Sequence, residues 1–424
     1  MKKLHNNTDV GGVFYAPVIQ AIKDSNHIRA CKEYTDYNHI TSGIQRVITS
    51  VASGRDWVQK MHTVMNTKIS VQVFFSALKS ARRLKVVKDI SNHIYNQANK
   101  LMRENDPLAN IPELNGFAVF AADGHTHKPS VHEKLIEGIR RPVTHIYSLN
   151  LRSHALKALA LSVPQETKKK EHEMSTLKRV GPDLLRMSEP IGTKVILVYD
   201  PAVIDYKTWF CWKQSKGLYV LTVEKKNSKL ITLGYNNWDE NDPRNNGVIN
   251  DEIVGPSNGH PMRRITYVDP VKGKTYRFIT NEMTLPPGVL AFLYKLRWDV
   301  EKTFDQIKNK MSEKKAWGAS ENAKEQQASF IAIAHNLMLM LETYIQKKEG
   351  IHDKISQRKR QKRLSEDIIK AKNAGRQFNW LVENCHRTTQ RCFQFIRWLR
   401  CSIEHRTSWA QAIEELRPLM ANYI

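Results

Sequence analysis

The sequence predicts an α/β fold: a sheet-building centre that carries a β-rich insertion, flanked by helical regions at both ends. Three observations carry this expectation. Two short runs, 117–122 and 194–199, are almost uniformly apolar, and each is ended by an acid, Asp123 and Asp200. Such runs suit central strands covered on both faces. Between about residues 224 and 285, β-like segments alternate with Asn/Asp/Gly/Pro clusters such as 239–246 and 255–261. On either side of this centre, helix formers recur at helical spacing.

Taken in order, residues 1–112 form a helical N-terminal region with short helices expected at 40–49, 55–65 and 70–83. Lys79, Arg82, Arg83 and Lys85 cluster at the end of the third. They suit either a helix-turn-helix DNA reader or the solvated face of a helical cap. Residues 113–223 supply the first part of the core, with strands at 117–123, 144–151, 154–161, 194–199 and 218–222. Asp123-Gly124 and Asp200-Pro201 read as turns that end their strands. A charged helical segment covers 168–187, and a second helix covers 205–216. The insertion, 224–286, carries strands at 230–233, 247–254, 264–268 and 275–280. Residues 287–347 complete the core with a helix through 294–308 and a buried apolar run at 329–341. Residues 348–424 form a basic helical C-terminal region that includes the run Arg358–Arg363.

The chain has 424 residues, 41% of them hydrophobic, enough for two or three domains with a sizeable core. Its 66 Lys and Arg against 42 Asp and Glu give a formal charge of +24. That excess implies a polyanionic partner, most simply nucleic acid. No apolar run near 18 residues and no signal peptide are apparent, which disfavours a membrane. Five scattered cysteines, Cys31, Cys211, Cys385, Cys392 and Cys401, suit free and mostly buried thiols in a reducing compartment. Cys385, His386, Cys392, Cys401 and His405 match no usual zinc spacing.

The functional signal lies in the helix at 294–308. Tyr294, Arg297, Glu301 and Lys308 stand at offsets of three, four and seven. At about 100° per residue they fall within roughly 60° of arc, on one edge of the helix. Val289, Leu293, Leu296, Val300, Phe304, Ile307 and Met311 form an adjacent stripe for the core. A carboxylate flanked by two cations and a phenol suits a metal-binding acid among phosphate-gripping groups. Asp123 and Asp200, at the carboxyl edge of a sheet, are its candidate partners. Three such carboxylates would offer the oxygen-only ligation that Mg²⁺ or Mn²⁺ prefers. Paired ions of this kind serve phosphodiester hydrolysis and strand transfer. His125, His127, His132 and His172 crowd the acid segments, but imidazole favours other metals, and a structural role is the stronger reading.

Tyr-x-x-Arg-x-x-x-Glu-x-x-x-x-x-x-Lys resembles the YREK signature of DDE transposases in the bacterial insertion-sequence-four family, relatives of the Tn-five transposase. Tyr294, Arg297, Glu301 and Lys308 match every spacing. The contexts Ala122-Asp123-Gly124-His125 and Val198-Tyr199-Asp200, and the segments 147–152 and 170–178, are also similar to that family. The resemblance covers roughly residues 115–345. It implies an RNase H-like core, a mixed five-stranded sheet with flanking helices, with Asp123 on the first strand, Asp200 after the fourth and Glu301 on the helix after the insertion. It implies cut-and-paste transposition with two Mg²⁺ ions, Mn²⁺ substituting, held by Asp123, Asp200 and Glu301. Tyr294, Arg297 and Lys308 would hold the phosphate near the cut end, and Trp238 of the insertion would stack on a flipped base. The implied partners are transposon terminal inverted repeats, target DNA and a second copy of the chain in a synaptic dimer. The implied location is the bacterial cytoplasm. A nuclease of the same fold without strand transfer and a non-catalytic DNA-binding relative are the rival readings.

Overall fold

Nine strands form one mixed sheet in the computed structural model, which describes residues 8–49, 51, 53–65, 67–162, 171–256, 259–311, 313–377, 380–385 and 390–421. In chain order they are β1 (Phe117–His127), β2 (Val143–Asn150), β3 (Leu156–Ser162), β4 (Lys194–Val198) and β5 (Leu218–Val223). β6 (Ile231–Tyr235), β7 (Val248–Gly255), β8 (Met262–Val268) and β9 (Thr275–Thr280) follow. Their spatial order is β3-β2-β1-β4-β5-β9-β8-β7-β6. β1, β4 and β5 run parallel, and the other neighbours are antiparallel.

The apolar runs explain the layering. Alternate residues of a strand face opposite sides, so Val119, Ala121, Ile196 and Val198 pack with one set of helices. Ala118, Phe120, Ala122, Val195, Leu197 and Tyr199 pack with another. Helices Pro287–Leu296 and Trp298–Asp305 cover the first face through Val289, Leu293, Val300 and Phe304. Helices Glu173–Val180 and Tyr206–Lys216 cover the second through Met174, Leu177, Trp209 and Trp212.

The β-rich stretch prolongs the core sheet. β9 pairs with β5 from Phe278↔Val223 to Thr280↔Leu221, and β8, β7 and β6 are added outward in turn.

Helix Glu321–Glu349 is the central strut of the helical part. Asn336 accepts from the Leu156 amide and donates to the Leu156 carbonyl, both at 2.8 Å, and so satisfies part of the edge of β3. Contrary to the sequence expectation, this helix is long and apolar enough by composition to cross a membrane. Its most apolar 18-residue stretch is 83% buried inside the fold, the environment an all-round apolar segment requires.

The N-terminal helices correct two further expectations. The segment 70–83 is divided at Ser80, whose hydroxyl accepts from the Arg83 amide at 3.3 Å and starts helix Ala81–Met102. Arg82 grips Asp36 with both terminal nitrogens, at 2.7 and 2.8 Å, and Arg83 donates to the Tyr34 carbonyl at 2.5 Å. Asp36 is 2% exposed. Two of the four cations that suggested a DNA-reading helix are thus engaged inside the fold. Among the described side chains the expectation of mostly buried thiols also fails: Cys392 is buried, Cys31 is half-buried, and Cys211 and Cys401 are exposed, while Cys385 and His386 lie outside them. Cys211 lies on a helix whose inward face is taken by Trp209 and Trp212.

Candidate active site

Sheet register brings the two aspartates together. β1 and β4 are paired in parallel up to Ala121↔Val198, so Asp123 and Asp200 each stand two residues beyond the last pair. They share a level and a side of the sheet. The expected turn at Asp123-Gly124 is absent, because β2 keeps pairing with β1 through Asp123↔Tyr147 and Gly124↔Ile146 to His127. Gly124 serves close approach: a Cβ there would stand 2.9 Å from Thr144 Cγ2 and 3.1 Å from Glu173 Oε1. Its amide donates to Asp123 Oδ1 at 2.7 Å. Asp200 does end its strand, accepting from the Ala202 amide at 2.8 Å as the cap of a short 3₁₀ turn.

The helix expected through 294–308 is two helices and a wider turn. The first ends at Leu296, the second spans Trp298–Asp305, and Gln306–Lys310 forms a π turn that carries Lys308. The Arg297 amide donates to the Tyr294 carbonyl at 3.1 Å, which tightens the backbone at the junction. The expected apolar stripe is buried, from Val289 to Met311.

Arg297 links the helix to the sheet. Nη2 meets Glu301 Oε1 at 2.7 Å and Nη1 meets Asp123 Oδ2 at 3.5 Å. The guanidinium lies 5.6 Å from the ring centroids of both Tyr294 and Trp298. Its Nε is buried and has no hydrogen-bond partner among the described residues. Lys308 is exposed. Trp298 is 53% exposed beside these groups. Trp238 is half-buried in the loop after β6.

A fourth acid was not anticipated. Glu173 begins the helix on the opposite face, and its carboxylate lies with those of Asp123 and Asp200, ligand oxygens all within 4.8 Å of one another. The sequence signal was slight: Glu173 falls in the family-like segment 170–178, among several charged residues. Glu301, expected as the third member, is not in that cluster: it lies on the other face, paired with Arg297, whose other terminal nitrogen approaches Asp123. An oxygen-only, anionic donor set fits Mg²⁺ or Mn²⁺ and suits softer metals poorly.

Burial pushes the Asp123 carboxyl up to about 6, and the charges of Asp200 and Glu173 add to this against the Gly124 amide and Arg297. Behind the acids, His125, His127 and His145 stack edge to tilted with Tyr147 and Phe304. Burial pushes His125 down to about 4 and His145 down to about 3, so these imidazoles are neutral packing groups. The structural reading of His125 and His127 is the one their burial favours.

A family model described as "Transposase DDE domain" matches residues 21–337. The chain is also similar to "Putative transposase y4zB" of Sinorhizobium fredii (strain NBRC 101917 / NGR234), at 29% identity over 147 residues. That match covers 33% of this chain and 41% of the relative, so the chain spans about two fifths of the relative's length. The chain belongs to the transposase DDE domain family.

Proposed function

We propose that this chain is a cut-and-paste DNA transposase of the insertion-sequence-four type. In this reading it cleaves the ends of an insertion sequence and joins their 3′-hydroxyls to target DNA. The observation that carries it is the convergence of Asp123 and Asp200 beyond a parallel strand pair, with Glu301 tied to Asp123 through Arg297. The strand order β3-β2-β1-β4-β5, with Asp123 on the first strand and Asp200 after the fourth, supports an RNase H-like core.

Asp123, Asp200 and Glu301 would hold two Mg²⁺ ions, with Mn²⁺ substituting. The ions would supply Lewis acidity and an activated water or 3′-hydroxyl. Tyr294, Arg297 and Lys308 bind and orient the phosphate beside the scissile bond. Arg297 suits this as a fork of donors, and Lys308 as an exposed point charge. Trp238 is the candidate for stacking on an unpaired base, and Trp298, exposed beside Arg297, competes for that role. Fluorescence of a 2-aminopurine at the cut end, compared in W238A and W298A, assigns it to whichever variant loses the quenching.

Substrates in this reading are terminal inverted repeats and target DNA, brought together by a dimer in the bacterial cytoplasm. The helix Lys354–Asn373 presents Lys354, Arg358, Lys359, Lys362 and Arg363 on its exposed surface and offers a path for the duplex backbone. Neutralising them should lower the slope of log affinity against log salt by about 0.9 for each phosphate that no longer meets a cation.

The decisive assay is joining of a labelled, precut end to plasmid DNA. Wild-type protein should join ends in Mg²⁺, while Glu301→Gln should neither cleave nor join yet should still bind DNA. Nicking without joining would replace this reading with that of a nuclease.

A further inference from the structure

Glu173 stands outside the expected set of three acids, and several features orient it toward them. Its carboxylate shares the 4.8 Å cluster with Asp123 and Asp200. It stands in the first turn of helix Glu173–Val180, where the helix dipole favours a negative charge. Met174 and Leu177 anchor that helix beneath Phe120, Ala122 and Leu197. Gly124 leaves the space the carboxylate occupies, since a Cβ there would approach Oε1 to 3.1 Å. Glu301 differs: Arg297 holds its carboxylate at 2.7 Å.

We propose that Glu173 is a metal-ligating carboxylate, and that Asp123, Glu173 and Asp200 take up the first divalent cation without Glu301. Glu301 joins when a DNA phosphate draws Arg297 away from it. The division of labour follows from charge. Arg297 sits against Glu301 at 2.7 Å, whereas it approaches the cluster of three acids at 3.5 Å, through Asp123. An incoming phosphate competes for the same guanidinium and frees Glu301 for a second cation. This rests on the metal-dependent reading above.

The test measures Mn²⁺ binding to the DNA-free full chain, by calorimetry and by electron paramagnetic resonance of free Mn²⁺, so that no activity is needed. Glu173→Gln should weaken binding by about tenfold or more, Glu301→Gln should leave it unchanged, and the double change of Asp123 and Asp200 to Asn should abolish it. Adding a DNA end should raise the Mn²⁺ stoichiometry of the wild type and not that of Glu301→Gln. Should Glu173→Gln unfold, as seen by thermal melting, Glu173→Asp keeps the charge, withdraws the carboxylate by one methylene and should weaken binding likewise. Unaltered binding in a folded Glu173 variant would overturn the role of Glu173, and equal losses in the Glu173 and Glu301 variants would overturn the division of labour between them; either leaves the transposase reading standing. Unaltered binding in the double Asp variant would overturn both.

Discussion

Two glutamates approach Asp123 and Asp200 from opposite faces of one sheet, Glu173 directly and Glu301 through Arg297. Glu301 sits on a helix whose offsets advertise it, and a guanidinium holds it. Glu173 sits at the first turn of an eight-residue helix amid ordinary charges, and it lies directly with the two aspartates. The contrast teaches that helical periodicity reports what a helix presents along its own length. It is blind to what two layers bring to a common place on the sheet.

The comparison can be broken at the point both layers share. Asp200→Asn should cost several kcal/mol of transition-state stabilisation, about a thousandfold in end cleavage, whichever glutamate matters more. Cleavage retained by that variant in a gel assay would mean that neither layer serves a common site. Next in size, Leu177→Ala removes a fully buried side chain beneath Glu173 and should lower unfolding stability by roughly 2–5 kcal/mol in chemical denaturation. A loss of Mn²⁺ binding at temperatures where that variant remains folded would show that the second layer sets the cluster's geometry.

Arg297→Lys keeps the charge and loses the fork. It should lower cleavage by roughly 10–100-fold while DNA-free Mn²⁺ binding persists, since the guanidinium is linked to Glu301 more closely than to the three-acid cluster. The smallest effect is on stability against pH. The Asp123 carboxyl is raised by burial to about 6, above its ordinary value of 3.8. Its favourable contribution to the metal-free fold is therefore complete below the ordinary value and is lost as pH rises through about 6. Asp123→Asn should accordingly stabilise the metal-free protein at pH 7 by about 1–2 kcal/mol relative to its effect at pH 4. Mg²⁺ should raise the melting temperature of the wild type and not of this variant.

Much of the site was legible because its residues lie where local rules hold. Asp123 and Asp200 follow apolar runs long enough to be central strands, and the stripe from Val289 to Met311 fixes which side of its helix is buried. Misreadings arose where a tertiary interaction overrode a local rule. Asp123-Gly124 reads as a turn, but pairing with β2 draws it into the strand, and the glycine answers to Thr144 and Glu173. Arg82 and Arg83 read as a solvent-facing cluster, yet a single carboxylate, Asp36, nearly fifty residues away in the chain, gathers them inward. Glu173 was hidden for the same reason: its partners are set by the parallel register and by the packing of Leu177, and neither leaves a periodic trace.

The continuity of the nine-stranded sheet has a practical consequence for anyone who trims this protein. The stretch 224–286 cannot be excised as a loop might be, because β9 covers the flank of β5. A deletion would leave Leu218–Val223, a largely buried and uncharged strand, as a raw edge open to other chains. A minimal catalytic fragment would need a substitute for that neighbour, and without one it should precipitate before its chemistry could be measured.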